Sequence, residues 1–173
     1  MKKFFYMSVL VLMAALTLTS CGSDDSKDEP SGSKTIVYSA SVSFSQDMID
    51  ICDVTLTYKD ADGKTVAETI KSTTWSKTFN VKKLPAVVGA KCDFKLKDGV
   101  QLTKDKYDIV SSITHNVTVD GAKKGYDEPQ IFIGSYGVKN DKVAEQLPRR
   151  TGKMFGYTIS ANGGVNATES IDF

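Results

Sequence analysis

The chain has 173 residues, with 22 lysines and arginines against 21 aspartates and glutamates, for a formal charge of +1. That balance excludes the clustered basic surface a phosphate backbone requires, so no nucleic acid partner is expected. Three cysteines and one histidine supply little for metal or triad chemistry. No cofactor and no metal site are expected.

Lys2 and Lys3 form a short basic start. From Phe4 to Leu18 the chain is apolar apart from Ser8 and Thr17. Such a run falls short of the roughly twenty residues of a permanent membrane span. Its length and flanks predict a secretory signal peptide over residues 1–20. A buried core helix would instead carry a polar stripe. Removing residues 1–20 takes away two lysines and no acid, which moves the net charge to −1.

Leu18-Thr19-Ser20 does not read as an A-x-A cleavage site. Leu18-Thr19-Ser20-Cys21 resembles the bacterial lipobox, in which the cysteine becomes the first residue of the mature chain. The resemblance implies a diacylglycerol on the Cys21 thiol and an acylated amino group. Two or three acyl chains, at about 0.8 kcal/mol per buried methylene, hold a protein stably on a bilayer. The expected membrane partner is therefore reached through the N-terminal lipid.

Residues 21–34 bring no apolar side chain beyond glycine and proline and read as a flexible acidic, serine- and glycine-rich tether. Within it, Ser23-Asp24-Asp25 resembles the acidic export signal of small surface lipoproteins of the Bacteroidota. The resemblance implies lipid anchoring in the outer membrane with exposure at the cell surface; the alternative is a periplasm-facing anchor.

From residue 35 to residue 173 the pattern is that of one β domain, long enough for one ordinary core. Positions 36, 38, 40, 42 and 44 are apolar and 39, 41 and 43 are serine, a period of two. Cys52, Val54, Leu56 and Tyr58 repeat it. Asp60-Ala61-Asp62-Gly63 then predicts a hairpin turn. The same residues resemble the start of a calcium loop, but the distant glutamate that completes one is absent. Val66–Ile70 is the return strand.

Trp75, Phe79 and Val81 share a phase into which Lys77 intrudes. Ala90, Cys92, Phe94 and Leu96 follow, with lysines 91, 95 and 97 on the solvated side. Tyr107 to Val119 keeps one phase for so long that a bulge or break is expected near Ser111-Ser112. Ile131–Val138 is a strand loosened by Gly134 and Gly137. A short helix is predicted near 141–147, capped by Asn140 or Asp141 and stopped by Pro148. Asn162-Gly163-Gly164 joins strands over 154–160 and 165–173.

Eight to ten strands with short turns and no βα alternation predict an all-β, antiparallel sandwich of immunoglobulin-like architecture. A true immunoglobulin domain is not expected. Trp75 lies too far beyond Cys52, and Ala90 occupies the place of the tyrosine that would precede Cys92. Cys52 and Cys92 both fall on the inward phase in a compartment that permits disulfides. They can pair only if their strands adjoin or the sheets pinch; otherwise each is a small buried apolar side chain.

His115 lies on the inward phase between Ile113 and Val117. Any nucleophilic arrangement would depend on it alone. The plainer expectation is a partly buried histidine satisfied by hydrogen bonds near a strand end. Among the aromatics, Tyr126 stands apart, in a loop from Gly121 to Pro129. The expected function is a non-catalytic envelope module that meets a protein or glycan partner. The alternative is a glycan- or small-ligand-binding module of an outer-membrane uptake system.

Overall fold

A computed structural model describes residues 34–126 and 128–173. The predicted signal peptide, Cys21 and Ser23-Asp24-Asp25 lie outside the described residues. Residues Ser33–Phe173 form one compact unit.

Ten strands are present among the described residues, all paired antiparallel in two five-stranded sheets. The fold is the all-β sandwich that the alternation predicts. The first sheet contains β1 (Ile36–Phe44), β4 (Thr74–Asn80), β6 (Lys106–Val119), β7 (Ala122–Gly125) and β8 (Gln130–Lys139). Its path runs β4-β1-β6, and β7 and β8 both pair with β6. The second sheet has the order β10-β9-β5-β2-β3, built from β2 (Cys52–Lys59), β3 (Thr65–Ile70), β5 (Ala86–Leu96), β9 (Lys153–Ile159) and β10 (Val165–Thr168). The inward phases of both sheets meet in a single core, from Tyr38, Val42 and Val117 to Val54, Leu56 and Cys92.

The register explains the long phase of β6. Its burial alternates without interruption from Lys106 to Thr118. The irregularity expected near Ser111-Ser112 is present, but β8 carries it. Ser111 faces Ile133 and Ser112 faces Ile131, so Phe132 is the extra residue. A second shift lies between Tyr107 and Ile109, where β8 again advances one residue further than β6. A bulged strand lets an unbent neighbour keep its inward phase.

Two helical segments accompany the sheets. Val143–Gln146 (α2), with single 3-10 turns on either side, spans the predicted helix and buries Val143 and Leu147. The other, Gln46–Ile51 (α1), is an addition to the sequence reading. It carries the chain from β1 to β2, across from one sheet to the other. The Ser45 hydroxyl accepts from Met48 N at its start, and Met48, Ile49 and Ile51 are buried. Lys97 donates to Ile49 O and Asp50 O at its end. A cation at the carboxyl end suits the exposed carbonyls there. Of the three lysines read as merely solvated, Lys97 thus holds a helix end. Lys91 and Lys95 pair with Asp93 and with Asp53 and Asp98 at the surface.

The inward intrusion of Lys77 is resolved by Glu68, which reaches from β3 across the sandwich edge to β4. One carboxylate oxygen accepts from Tyr58 Oη at 2.8 Å and lies 2.7 Å from Lys77 Nζ. The other accepts from Trp75 Nε1 at 3.0 Å. The Lys77 ammonium beside Glu68, with the Tyr58 and Trp75 donors, holds its carboxyl below the usual carboxylate range. Glu68→Leu is expected to cost about 1–2 kcal/mol in denaturant unfolding. The estimate takes charge-assisted bonds at the low end because the site is about one-third open to water. An unchanged midpoint would remove Glu68 as a clasp between the sheets.

The C-terminal stretch departs from expectation. β10 ends at Thr168, and Ile171 folds back onto the outward face of β5 and β9, where it is 6% exposed. It rests on a cross-strand glycine pair, Gly89 and Gly156. A side chain at either position would occupy the space that Ile171 fills.

Candidate functional site

The far edge of β6 is paired by β8 as far as Ile113 and by β7 from Asn116 onward. The gap between the two partners falls at Thr114 and His115. The segment expected to be a plain loop from Gly121 to Pro129 contains β7, so Tyr126 stands where that strand ends. Across the sandwich, β10 pairs with β9 only over Gly156–Ile159, which leaves the start of β9 open. The two gaps face each other. Between them lies a cleft of about 410 Å³, lined by His115, Tyr126, Ile131, Phe132, Phe155 and Glu169 among others.

His115 forms the floor. It is 4% exposed, and its ring lies 5.3 Å from Tyr126, 5.2 Å from Phe155 and 4.7 Å from Tyr157 between centroids. Phe132 meets Phe155 edge-on at 5.0 Å. The main chain at this point is well held. His115 O accepts from Tyr157 Oη at 2.9 Å and from Tyr126 N at 3.1 Å. Gly125 permits that approach, because a Cβ there would lie 2.1 Å from Tyr157 Oη.

The imidazole differs from the sequence expectation. It is not satisfied by hydrogen bonds: Nδ1 is sealed and without a partner among the described residues. It also sits in mid-strand rather than near a strand end. Burial pulls its pKa down to about 4, so the ring is neutral at ordinary pH. Burial, reinforced by the neighbouring Tyr126, pushes Tyr157 up to about 12. The Tyr157 hydroxyl donates to a backbone oxygen and not to the ring. Among the described residues its ring neighbours are aromatic, and no carboxylate or nucleophile bonds to Nδ1.

The cleft brings His115 and Tyr126 together and leaves the other sequence candidates elsewhere. Asp60-Ala61-Asp62-Gly63 is the predicted hairpin turn, with Asp60 Oδ1 accepting from Asp62 N and Lys64 N. A second cleft of about 410 Å³ adjoins it, where Asp60 is engaged by the turn and Asp62 by Lys82. No group of three potential metal ligands occurs among the described residues. The sequence reading passed over Ile131, Phe132 and Glu169. The adjacent apolar trio Ile131-Phe132-Ile133 was the available signal, since a strand with one wet face would alternate there.

Cys52 and Cys92 are both buried and free. Their strands do adjoin, which satisfies one condition for a bridge. Cys52 faces Leu96, however, and Cys92 faces Leu56. Four residues of offset is about 13 Å along the pair at strand spacing, beyond disulfide reach. Nor does Trp75 lie between them, because it belongs to the opposite sheet. Burial pushes both thiols up to about 12. Both should resist a thiol reagent at pH 8 in the folded chain and react in denaturant. A chain with no reactive thiol at these positions after unfolding would restore the bridge.

Compared with family models, with curated proteins and with solved structures, the chain matches none.

Proposed function

We propose that the chain is a lipid-anchored, non-catalytic binding module of the bacterial outer membrane, displayed at the cell surface. The address rests on Leu18-Thr19-Ser20-Cys21 and on Ser23-Asp24-Asp25 behind it. The binding role rests on the cleft at His115, where a buried, unpartnered imidazole is ringed by aromatic side chains. A volume of about 410 Å³ falls within the roughly 300–1,000 Å³ of small-molecule sites. Tyr126, 46% exposed at its mouth, favours the more specific reading of a glycan- or small-ligand-binding component of an uptake system. An exposed aromatic face is a stacking platform.

Three experiments test the proposal. Cys21→Ala is expected to abolish incorporation of a clickable fatty acid, and label persisting in the variant would overturn the anchor. With Asp24 and Asp25 both replaced by alanine, the protein should stay lipidated but become protected from protease added to whole cells. Unchanged shaving would favour neither acid as an export signal, and protection of the parent chain itself would place the anchor facing the periplasm. For the cleft, His115 is the single histidine of the chain, so its imidazole NMR signal reports occupancy directly. A library of neutral, acidic and basic small molecules that leaves this signal unmoved would overturn the ligand-site reading.

A further inference from the structure

We propose that the cleft at His115 binds an organic ammonium ion, a protonated alkylamine, placed between the Glu169 carboxylate and the aromatic faces of Tyr126 and Phe132. The inference rests on reading the cleft as a ligand site and names the class of ligand.

Charge is the first argument. Glu169 is the only ionised side chain lining the cleft among the described residues, and no lysine or arginine lines it. An anion entering there would meet a carboxylate and no counter-ion. A cation would meet the opposite.

The walls are the second argument. Tyr126, Phe132 and Phe155 contribute aromatic rings around one small volume. Ring faces carry negative quadrupole density and attract ammonium groups, by about 0.5–1 kcal/mol at open sites. Of these rings, Tyr126 is the most accessible, so it sits where an entering cation would pass.

The floor is the third. His115 is buried beneath the cleft, with Nδ1 sealed from it. Because burial holds the ring neutral at ordinary pH, it does not repel a cation in the cleft above it. The alkyl part of such a ligand would lie against Ile113, Ile131 and Met154.

The test uses the full chain purified from membranes in mild detergent, with three probes of matched length: n-butylammonium, n-butanol and n-butyrate. Each is titrated at pH 7.5 while the His115 imidazole signal is followed. The expected result is a dissociation constant for n-butylammonium at least about fivefold below those of the other two. Tyr126→Ala and Glu169→Gln, both at exposed positions, should each weaken it about two- to fivefold. Equal affinity for n-butanol or n-butyrate would overturn the proposal, as would n-butylammonium binding unchanged in both variants. Silence to all three probes, while another library compound moves the signal, overturns the ammonium class alone. Silence to every compound overturns the ligand-site reading with it.

Discussion

Gly89→Val is expected to destabilise the domain by at least about 3 kcal/mol, read as a lower denaturant midpoint. A Cβ at Gly89 would stand 2.2 Å from Phe155 O and 2.5 Å from Ile171 Cδ1. The first of these is backbone of the neighbouring strand and cannot swing aside. Gly89 also has φ +151°, which side-chain-bearing residues rarely adopt. Gly156→Ala tests the same contact from the other strand, with Val88 O at 2.1 Å, and should cost about 1–3 kcal/mol. Gly63→Ala is the comparison. It shares a positive φ but has nothing within 4 Å, so about 1 kcal/mol is expected. Were Gly89→Val no worse than Gly63→Ala, close approach of β5 and β9 would not matter to stability.

Acidification should weaken the fold through His115 before any carboxylate takes part. Its pKa is depressed from 6.5 to about 4 by burial. Between those values the unfolded chain binds a proton that the folded chain refuses, so stability falls as pH falls. The contribution is whole above about pH 7, is lost progressively below 6.5, and stops changing once the folded state also protonates near 4. A shift of this size corresponds to about 3 kcal/mol. Glu68 and Asp60 are held below the usual carboxylate range and act only at the lower end of this window. As the single histidine, His115 leaves the interval from pH 6.5 to 5 nearly free of other titrations. Unfolding free energies in that interval should slope upward with pH in the parent chain and lie flat in His115→Phe. Equal slopes in the two would mean that the imidazole protonates in place without penalty.

These two positions show where sequence reading succeeds and where it stops. His115 was legible as inward-facing, because period two assigns a face to every residue of a strand. Its lack of a partner was not legible. That depends on β7 and β8 dividing the edge of β6 between them, and strand order is a matter of distant pairing. Gly89 and Gly156 carry no local signal that sets them apart in their strands. Their role appears only when the register sets one opposite the other and Ile171 lands on both.

The cysteines make the same division. Inward phase and burial followed from alternation, but the bridge turned on a register offset of four residues, which no single strand encodes. α1 escaped because six residues hold too few turns for a helical period to stand out, and its packing against β6 and β2, with Ser45 and Lys97 at its ends, makes it persist. The two-faced strands, the turns at Asp60–Gly63 and Asn162–Gly164, and hence the sandwich, are written in the order of the residues. These depend on side-chain periodicity and backbone preference within a few residues. Strand order, register, the clasp at Glu68 and the cleft at His115 are settled by folding, because each joins residues that come together solely when the two sheets close on a common core.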